Sequence, residues 1–415
     1  MWKRVIIHSD INHCYAQIEE MKYPELRHVP MAVGGHEETR HGIILAKNDL
    51  AKAAGVKTAE SLREAYKKCP DLVIIHPHYD DYLYYTEKVK DIYREYTDQV
   101  ESFGLDEAWV DLTASQKLFG DPIALAHKIQ DRIEEELGLK VSMGISFNKV
   151  FAKIGSDRVK KKGFYVVSEE NYKEKIWPLE IGELFYVGRA TEPKLRARGI
   201  GTIGDLAKQP LSYLRSFLGK PGEVLWYFAN GYDESEVTHV HYERQVKSIG
   251  NGITAIRDIV NREDMKMVYT VLVESVATRL KEAGLKGDVI SISLRDKNLS
   301  WFSRQRKIER RTNISQEIMD VVMELVDAHC DFQVPYRSIN VTVSSLKMDD
   351  GREQLSLFES EEERHANKIL DRVIDAIREK YGMDKIKRLV VMQDEHLTGF
   401  DPLHDNVIHP EGYFK

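Results

Sequence analysis

Two adjacent acids, Asp106 and Glu107, lie inside a largely apolar stretch at residues 104–111. Successive side chains of a strand point to opposite faces, so neighbouring carboxylates can reach one ion only at a strand end or a turn. Gly104 is suited to such a turn. A third acid, Asp10, follows a strand-like apolar run at residues 5–9. We therefore expect a fold in which these three carboxylates meet.

This group of acids indicates a particular chemistry. Clustered carboxylates repel one another unless a cation lies between them. Hard oxygen ligands suit magnesium, which keeps several waters and completes its coordination shell with substrate phosphates. The acids therefore predict phosphoryl transfer assisted by metal ions.

Three longer patterns surround the acids: HSDINHCYAQIE at residues 8–19, LDEAWVD at 105–111 and GISFNKVFAKIGSD at 144–157. The first two resemble the metal-binding motifs of the Y-family (translesion) DNA polymerases, in the DNA polymerase IV and UmuC-like branch of Gram-positive bacteria. The third resembles the palm helix that follows them. The resemblance covers nearly the whole chain. It implies a multidomain α+β fold, the right-hand polymerase with a palm, small fingers, a helical thumb with a helix-hairpin-helix, and an α+β little-finger domain.

A chain of 415 residues is too long for one core, so we expect several domains. The resemblance implies a palm at 1–29 and 76–167, fingers at 30–75, a thumb at 168–231, a linker at 232–246, a little finger at 247–348, and a clamp-binding motif with a C-terminal extension at 349–415. We find no signal-peptide pattern, no bilayer-spanning run and no disulfide or metal spacing among the three cysteines, so we expect a cytoplasmic monomer without membrane contact.

The net charge of −7 argues against a uniformly basic protein that coats DNA, but it leaves room for a local basic groove at residues 149–163. Apolar periodicity predicts a helix over 79–98, and Asp121 followed by Pro122 predicts the start of another. The palm sheet is predicted to comprise residues 4–8, 72–76, 104–112, 140–145 and 163–167. From residue 248 the order strand, helix, two strands, helix, strand fits the little finger. Beyond it we expect a helix with Ile369, Val373, Ile377 and Tyr381, and then a strand at 386–392.

The resemblance gives Asp10, Asp106 and Glu107 the catalytic and metal-binding roles, with the Ile11 carbonyl as a further ligand. Two Mg²⁺ ions, or Mn²⁺ in their place, would activate the primer 3′-hydroxyl and stabilise the leaving group. Asn12 stands where family members usually carry a second acid. That acid is dispensable as a ligand in the family pattern.

Cys14, Tyr15, Lys52 and Lys160 are expected at the incoming deoxynucleoside triphosphate. By match, Tyr15 is the steric gate that excludes a ribose 2′-hydroxyl, although a helix aromatic can also simply fill the core. Lys160 matches the family lysine that contacts the triphosphate. In the fingers, Asp49 and Lys52 stand where the family carries tyrosine and arginine. Asp49 must then point away or pair with Lys52, because its charge would repel a triphosphate.

Two regions are expected to contact primer–template DNA. Residues 186–206 resemble a helix-hairpin-helix, in which Gly188, Gly199 and Gly201 would let backbone N–H groups approach a phosphate. Tyr186 replaces the first glycine of that motif, and an ordinary helical turn is the alternative. In the little finger, a merely solvated edge is the alternative to phosphate contacts by the basic residues of one strand: Arg304, Arg306, Lys307, Arg310 and Arg311.

The pentapeptide QLSLF at residues 354–358 resembles the motif with which bacterial polymerases bind the sliding clamp, the beta subunit. Its candidate contacts are Gln354, Leu355, Leu357 and Phe358. Three apolar side chains in one surface loop are unfavourable unless a partner covers them. The alternative is that the segment docks on its own domain.

The sequence therefore predicts a DNA-templated DNA polymerase of the translesion type, with low fidelity and no proofreading. The alternative is a clamp-tethered DNA-binding homologue with impaired or lost polymerase activity, which Asp49 and Gly104 motivate because tyrosine and serine are usual there. A metal-dependent nuclease would explain the carboxylates but not Tyr15, Lys160 or the clamp motif.

Overall fold

The structure of the protein is a computed structural model that describes residues 2–35, 42–159, 162–242, 245–351, 361–382 and 385–402. These residues form two compact units, the first within residues 1–35 and 43–243 and the second mainly within residues 244–407. Each unit has its own hydrophobic core. Within the described ranges, no helix has the length and apolar character needed to cross a bilayer.

The first unit combines short strands with helices of various lengths. In chain order it contains β1 (Ile6–Ile11), α1 (Cys14–Lys22), β2 (Met31–Gly34), β3 (Ile44–Lys47), α2 (Asp49–Ala53), α3 (Leu62–Lys68), β4 (Val73–Ile75), α4 (Tyr79–Arg94), β5 (Val100–Phe103), β6 (Glu107–Asp111), α5 (Gln116–Phe119), α6 (Pro122–Leu137), β7 (Val141–Ser146), α7 (Lys149–Arg158), β8 (Gly163–Val167), α8 (Tyr172–Ile176), α9 (Glu192–Arg196), α10 (Ile203–Ala207), α11 (Leu211–Leu218) and α12 (Lys220–Ala229).

Five strands form a central sheet in the order β5–β6–β1–β7–β8, in which β7 and β8 are parallel and the other pairs antiparallel. Alternation along β1 divides its side chains between two cores. Ile7 packs with the apolar residues of α4 and α6, whereas Ile6 packs with Trp109 and with α7. His8 and Asp10 therefore lie on the same face as Ile6, toward α7.

The predicted helices that cover the sheet are confirmed in α4 and α6. Asp121 caps α6: its Oδ2 accepts from the Ala124 N–H at 2.8 Å, and Pro122 occupies the first turn. Gly104 lies in the turn between β5 and β6 with φ of 72°. Glycine adopts this left-handed backbone at no steric cost, so its presence instead of serine is no sign of a damaged site.

The prediction that residues 72–76 join the central sheet is wrong. β4 instead pairs in parallel with β2, with Met31 opposite Val73, in a separate three-stranded sheet of order β3–β2–β4. The Val73 N–H also donates to the Pro30 carbonyl at 2.9 Å, which continues that pairing. Apolar alternation identifies a strand, but the hydrogen bonds available at a neighbouring edge decide its partner.

Helix α7 lies directly on β7 because two glycines face each other. A Cβ atom at Gly144 would lie 1.9 Å from the Ala152 carbonyl oxygen, and one at Gly155 would lie 3.0 Å from the Gly144 Cα. Any side chain at Gly144 would therefore push the helix off the strand. The close approach brings Lys153 and Ser156 of α7 toward the face of β1 that carries His8 and Asp10.

Residues 168–231 are predominantly helical, as predicted, with α8 to α12 in sequence. Their apolar side chains, Ile176 and Leu206 among them, share a core with Phe151 of α7. Tyr186 has φ of 74°, a left-handed conformation at the position where the helix-hairpin-helix pattern carries glycine. Tyr186 therefore adopts a backbone conformation that glycine would adopt without steric cost.

The second unit has the predicted order of elements. It contains β9 (Ser248–Ile259), α13 (Arg262–Glu282), β10 (Leu285–Asp296), β11 (Trp301–Thr312), α14 (Ser315–His329), β12 (Tyr336–Ser344), β13 (Lys347–Met348), α15 (Glu361–Tyr381) and α16 (Glu395–Thr398). The main sheet is antiparallel in the order β11–β10–β12–β9, and α13 and α14 pack on one face of it. Strand β11 lies at its edge.

The strand predicted at residues 386–392 is wrong, because a 3-10 helix (Leu389–Gln393) occupies most of that range. An ion pair between side chains anchors the start of this 3-10 helix, where a strand would use backbone hydrogen bonds: Arg388 Nε lies 2.5 Å from Glu274 Oε1 of α13.

The helix predicted after the clamp motif is confirmed as α15, but its orientation is unexpected. Val373 and Tyr381 of the predicted apolar stripe are exposed, whereas Arg364 and Asp371 are buried. The buried face is satisfied by polar contacts, such as that between Arg364 Nε and Glu317 Oε1 at 2.6 Å. Periodicity identified the helix but not the face that it buries.

Candidate active site

The fold brings the three predicted acids to one end of the central sheet. Asp10 and Glu107 are opposite residues of the paired strands β1 and β6, so their side chains lie on the same face. Asp106 directly precedes β6, in the turn that Gly104 allows. The Ile11 N–H donates to the Asp106 carbonyl at 3.1 Å, which ties the two acidic motifs together.

The acids differ in their electrostatics. Burial and the charges of Glu107 and Asp106 raise the pKa of Asp10 to about 8. Burial and the charge of Glu107 also raise the pKa of Asp106. Burial alone would raise the pKa of Glu107 as well, but contacts with His8 and Lys153 lower it instead. Asp10 and Asp106 are therefore the pair whose ionised forms need a cation.

Glu107 is turned toward α7. Its Oε2 lies 2.9 Å from Lys153 Nζ and 3.1 Å from His8 Nε2. Lys153 also contacts Asp157 at 3.1 Å, and His8 Nδ1 lies 2.7 Å from Ser156 Oγ. No three carboxylate, histidine or cysteine side chains of the described ranges stand close enough together to hold a metal ion. The donor chemistry nevertheless fits a hard cation, because buried carboxylates with raised pKa values are stabilised in their ionised form by a positive charge.

A cavity of about 1140 Å³ opens beside these acids. Asp10, Asp106, Cys14, Tyr15 and Lys52 all line it, so the structure brings together most of the residues predicted at the nucleotide. Basic side chains contribute a further part of the wall: Arg27, Lys47, Lys52, Lys140 and Lys162. A cavity lined by carboxylates and by basic side chains is suited to a metal-bound polyphosphate.

Tyr15 is packed on one side and open on the other. Its ring stacks on Tyr82 with centroids 4.4 Å apart and planes at 9°, and Tyr79 contacts its edge. The Tyr82 hydroxyl donates to Glu19, a fully buried carboxylate, which fixes the supporting ring. Burial and the charge of Asp106 raise the pKa of the Tyr15 hydroxyl above its ordinary value. Both the core-filling and the cavity-lining descriptions of Tyr15 therefore apply.

Of the two alternatives predicted for Asp49, the ion pair with Lys52 is wrong. Asp49 and Lys52 each line the cavity from α2. The structure describes both side chains, and no ion pair joins them within this segment. Lys47, at the end of β3, lies beside them, and its Nζ donates to Thr58 Oγ1 at 2.9 Å. Burial and the charge of Lys52 lower the pKa of Lys47.

Two family models match the chain: the impB/mucB/samB family over residues 9–157, and the C-terminal domain of the same family over residues 246–357. The chain is 44% identical to DNA polymerase IV of Acetivibrio thermocellus over 396 residues, which is 95% of this chain and 99% of the relative. The chain belongs to the DNA polymerase IV family. Another member, DNA polymerase IV 2 of Bacillus subtilis, is 38% identical over 94% of both chains.

A solved structure, the Y-family DNA polymerase chimera Dbh-Dpo4(243-245)-Dbh, has the same fold as this DNA polymerase IV family member. The TM-score is 0.74 at 21% identity, over 83% of this chain and 100% of the chimera. The resemblance to the Y-family and the multidomain α+β right-hand fold are thus confirmed.

In this DNA polymerase IV family member, the predicted helix-hairpin-helix residues lie on turns before α9 and α10. Gly199 has φ of 73°, and nothing lies within 4 Å of a Cβ placed at Gly188. The Gly201 N–H, however, donates to Asp205 Oδ2 at 3.1 Å, and Asp205 also caps the start of α10. Gly201 therefore offers a phosphate no N–H group unless Asp205 moves.

Three of the basic residues predicted as phosphate contacts on β11 do not share one face. Arg304 and Arg306 are opposite the buried residues Ile292 and Ile290 of β10, so they lie on the side of the sheet that α14 covers. Arg306 pairs there with Glu324. Lys307 is opposite Val289 and lies on the other face of the sheet.

Some predicted residues of this DNA polymerase IV family member lie outside the described residues: Lys160, Gln354, Leu355, Leu357 and Phe358. Other residues that the sequence analysis did not single out are prominent at the site, namely His8, Lys47 and Lys153. His8 could have been found by counting two residues back from Asp10 along one face of a strand. Lys47 could not be identified from the sequence alone, because its position at the cavity becomes apparent only when β3 is known to end there.

Proposed function

We propose that the chain is a DNA-templated DNA polymerase of the translesion type, which adds deoxynucleotides to a primer 3′-end with low fidelity and without proofreading. The observation that carries this proposal is one cavity lined both by the half-buried acids Asp10 and Asp106 and by several lysines. Relatives that match nearly the full length of the chain are named DNA polymerase IV, which supports the same activity.

The proposed metal ligands are Asp10, Asp106 and Glu107, with the Ile11 carbonyl, for two Mg²⁺ ions or for Mn²⁺. When bound, the ions supply the charge that activates the primer 3′-hydroxyl and stabilises the departing pyrophosphate. The protein's own contribution is to fix the ligands: β1 and β6 hold Asp10 and Glu107 in register, and the turn at Gly104 presents Asp106 next to them.

The incoming triphosphate is proposed to lie along the lysines that line the cavity. Lys52 and Lys160 were expected there from the sequence, and Lys47 is a further candidate because it lines the same cavity as Lys52. Lysines bind phosphate as point charges, without the bidentate geometry of arginine. Cys14 and Tyr15 line the cavity near Asp106, where Tyr15 would exclude a ribose 2′-hydroxyl by contact.

DNA and the clamp complete the proposed set of partners. Primer–template DNA would contact the turns at Gly188 and Gly199, and the turn at Gly201 once Asp205 releases its N–H group. It would also contact the face of β11 that carries Lys307, and Arg304 and Arg306 would add positive charge from the other face. The pentapeptide at residues 354–358 would bind the bacterial sliding clamp. We keep the palm, fingers, thumb, linker and little-finger bounds given above, and the monomeric state, as parts of this proposal.

Primer extension with Mg²⁺ and deoxynucleoside triphosphates tests the function. Asp106→Ala should reduce extension by more than about 100-fold, because even changes in residues that only support a metal ligand cost 10- to 100-fold. Asp111→Asn is a matched control, since Asp111 ends the strand that Asp106 precedes, does not line the cavity, and accepts from the Thr113 N–H at 2.8 Å. A wild-type chain that binds DNA but never extends a primer would favour the homologue with lost activity. Release of nucleotides from DNA without added triphosphates would favour a nuclease.

A further inference from the structure

One carboxylate oxygen of Glu107, Oε2, faces other side chains of the protein and not the solvent. Oε2 is shielded from solvent, whereas 20% of the side chain as a whole is exposed. Two side chains approach this single oxygen, Lys153 Nζ at 2.9 Å and His8 Nε2 at 3.1 Å. The His8 contact is close without the alignment of a full hydrogen bond. The accessible part of Glu107 therefore excludes Oε2.

His8 is itself fixed on three sides. It is 0% exposed, Nδ1 lies 2.7 Å from Ser156 Oγ, and the ring meets Trp109 edge-on with centroids 5.1 Å apart. Ser156 Oγ also lies 2.8 Å from the Lys153 carbonyl, and its single hydrogen can go to only one of the two. In one neutral tautomer the ring carries its hydrogen on Nε2, next to Glu107, and Nδ1 accepts from Ser156 once that hydroxyl turns away from the Lys153 carbonyl.

The neighbours of His8 argue against a purely space-filling role. Two side chains on the same face as His8, Ile6 and Trp109, fill the core with apolar groups. A histidine at this position adds two polar nitrogens to a buried site, which is costly unless both have partners. Its partners are a buried hydroxyl and the carboxylate that is proposed to bind metal. The polar contacts, and not the volume, distinguish His8 from an apolar residue here.

We propose that His8, anchored by Ser156, is a positioning residue for Glu107: it holds Oε2 against the sheet and leaves the other carboxylate oxygen for the metal. This inference rests on the proposed polymerase function. Lys153 adds charge at the same oxygen, but its long side chain also pairs with Asp157, so it does not fix a direction. The buried His8 ring does fix the direction of Oε2, because the ring cannot rotate without losing its contact with Ser156 or Trp109.

The test measures Mn²⁺ binding to the protein without DNA or nucleotide, by electron paramagnetic resonance of the ion. His8→Leu should weaken binding by about 10- to 100-fold, the usual effect of removing a group that supports a metal ligand. Ser156→Ala should weaken it less, in the same direction. His8→Gln should recover part of the loss, because its amide can donate to Glu107 and accept from Ser156.

Ser9→Ala is the matched control. Ser9 is a hydroxyl on the opposite face of β1, as buried as Ser156, and it accepts from Tyr93 at 2.7 Å. Its Mn²⁺ affinity should equal that of the wild type. In primer extension, the Mg²⁺ concentration for half-maximal activity should rise in the His8 and Ser156 variants, while KM for the nucleotide at saturating Mg²⁺ stays within about twofold of the wild type.

Unchanged Mn²⁺ affinity in folded His8→Leu would overturn the proposal and leave His8 as a core residue. If His8→Leu does not fold, Ser156→Ala decides alone, since it removes one oxygen atom: an affinity equal to that of Ser9→Ala overturns the proposal, and a weaker one supports it. A wild-type protein that neither binds Mn²⁺ nor extends primers would overturn the proposed function, and this inference with it. Wild-type binding and extension with no change in either variant would overturn the inference alone.

Discussion

The buried pair of Lys149 and Glu101 yields a prediction about stability. Lys149 Nζ lies 2.9 Å from Glu101 Oε2, each side chain is 2% exposed, and the ammonium group lies 4.6 Å from the centroid of the Trp109 ring. Lys149→Met keeps an unbranched side chain but removes the cation from the buried carboxylate. Breaking a buried pair by removing one partner costs about 3–5 kcal/mol in the free energy of unfolding.

For a unit of this size, 1 kcal/mol corresponds to about 2–4 °C in the unfolding midpoint, so the expected fall is about 6–20 °C. Replacing both partners, in Lys149→Met with Glu101→Leu, should recover much of it, since well-packed apolar pairs often match buried ion pairs. Recovery should be incomplete, because the Thr238 N–H also donates to Glu101 Oε2 at 2.9 Å.

Calorimetry of the four proteins in this cycle measures these midpoints, with the exposed Lys128→Met as control. The control should stay within about 2 °C of the wild type, since most surface changes cost no more than about 0.5 kcal/mol. Equal midpoints for Lys149→Met and Lys128→Met would refute the reasoning. So would a double variant no more stable than Lys149→Met, because the loss would then not come from a stranded carboxylate.

Three further results are expected. In metal-free protein, kept so with a chelator, the raised pKa of Asp10 means that the folded state holds a proton that the unfolded state has lost. The free energy of unfolding should therefore fall as pH rises from about 4 to about 8 and level off above that. Asp10→Asn, measured in the same calorimetric series, should lack this component. Tyr15→Ala should increase ribonucleotide incorporation by about 10- to 100-fold in single-nucleotide extension. Tyr82→Phe, which keeps the stacked ring, should not. Unchanged sugar selectivity in Tyr15→Ala would show that Tyr15 is not the steric gate. Replacing Leu357 and Phe358 by alanine should weaken binding to an immobilised clamp by more than about 100-fold and leave extension without the clamp intact. Leu389→Ala, a change at an exposed leucine outside the pentapeptide, should have no effect, and retained binding in the double variant would make the pentapeptide a structural element.

The part of the site that follows from strand alternation could be predicted from the sequence. Asp10 and Glu107 meet because the side-chain period of a strand is two and both strands belong to one sheet. The turn at Gly104 was predictable for a similar reason, since a left-handed residue favours glycine. These rules depend on the local backbone alone.

The errors arise where a long-range partner decides the outcome. Residues 72–76 have a strand pattern, but they joined β2 and not the central sheet. The stripe on α15 predicted a helix but not its exposed side, because ion pairs such as Arg364 with Glu317 hold the polar face. Lys307 differs from Arg304 only by its parity along β11, yet this places it on the other side of the sheet. Sequence periodicity does not contain these partners.

The contact between Gly144 and Gly155 has a consequence for protein engineering. A core formed by side chains can absorb substitutions through new rotamers, but here backbone meets backbone, and a single added carbon would lie 1.9 Å from the Ala152 carbonyl oxygen. A library that randomises the first unit should therefore return active variants at many buried apolar positions and none at Gly144. The spacing between the strand that carries Asp10 and the helix that carries Lys153 cannot be tuned gradually, and selection for altered chemistry must act on the cavity wall instead.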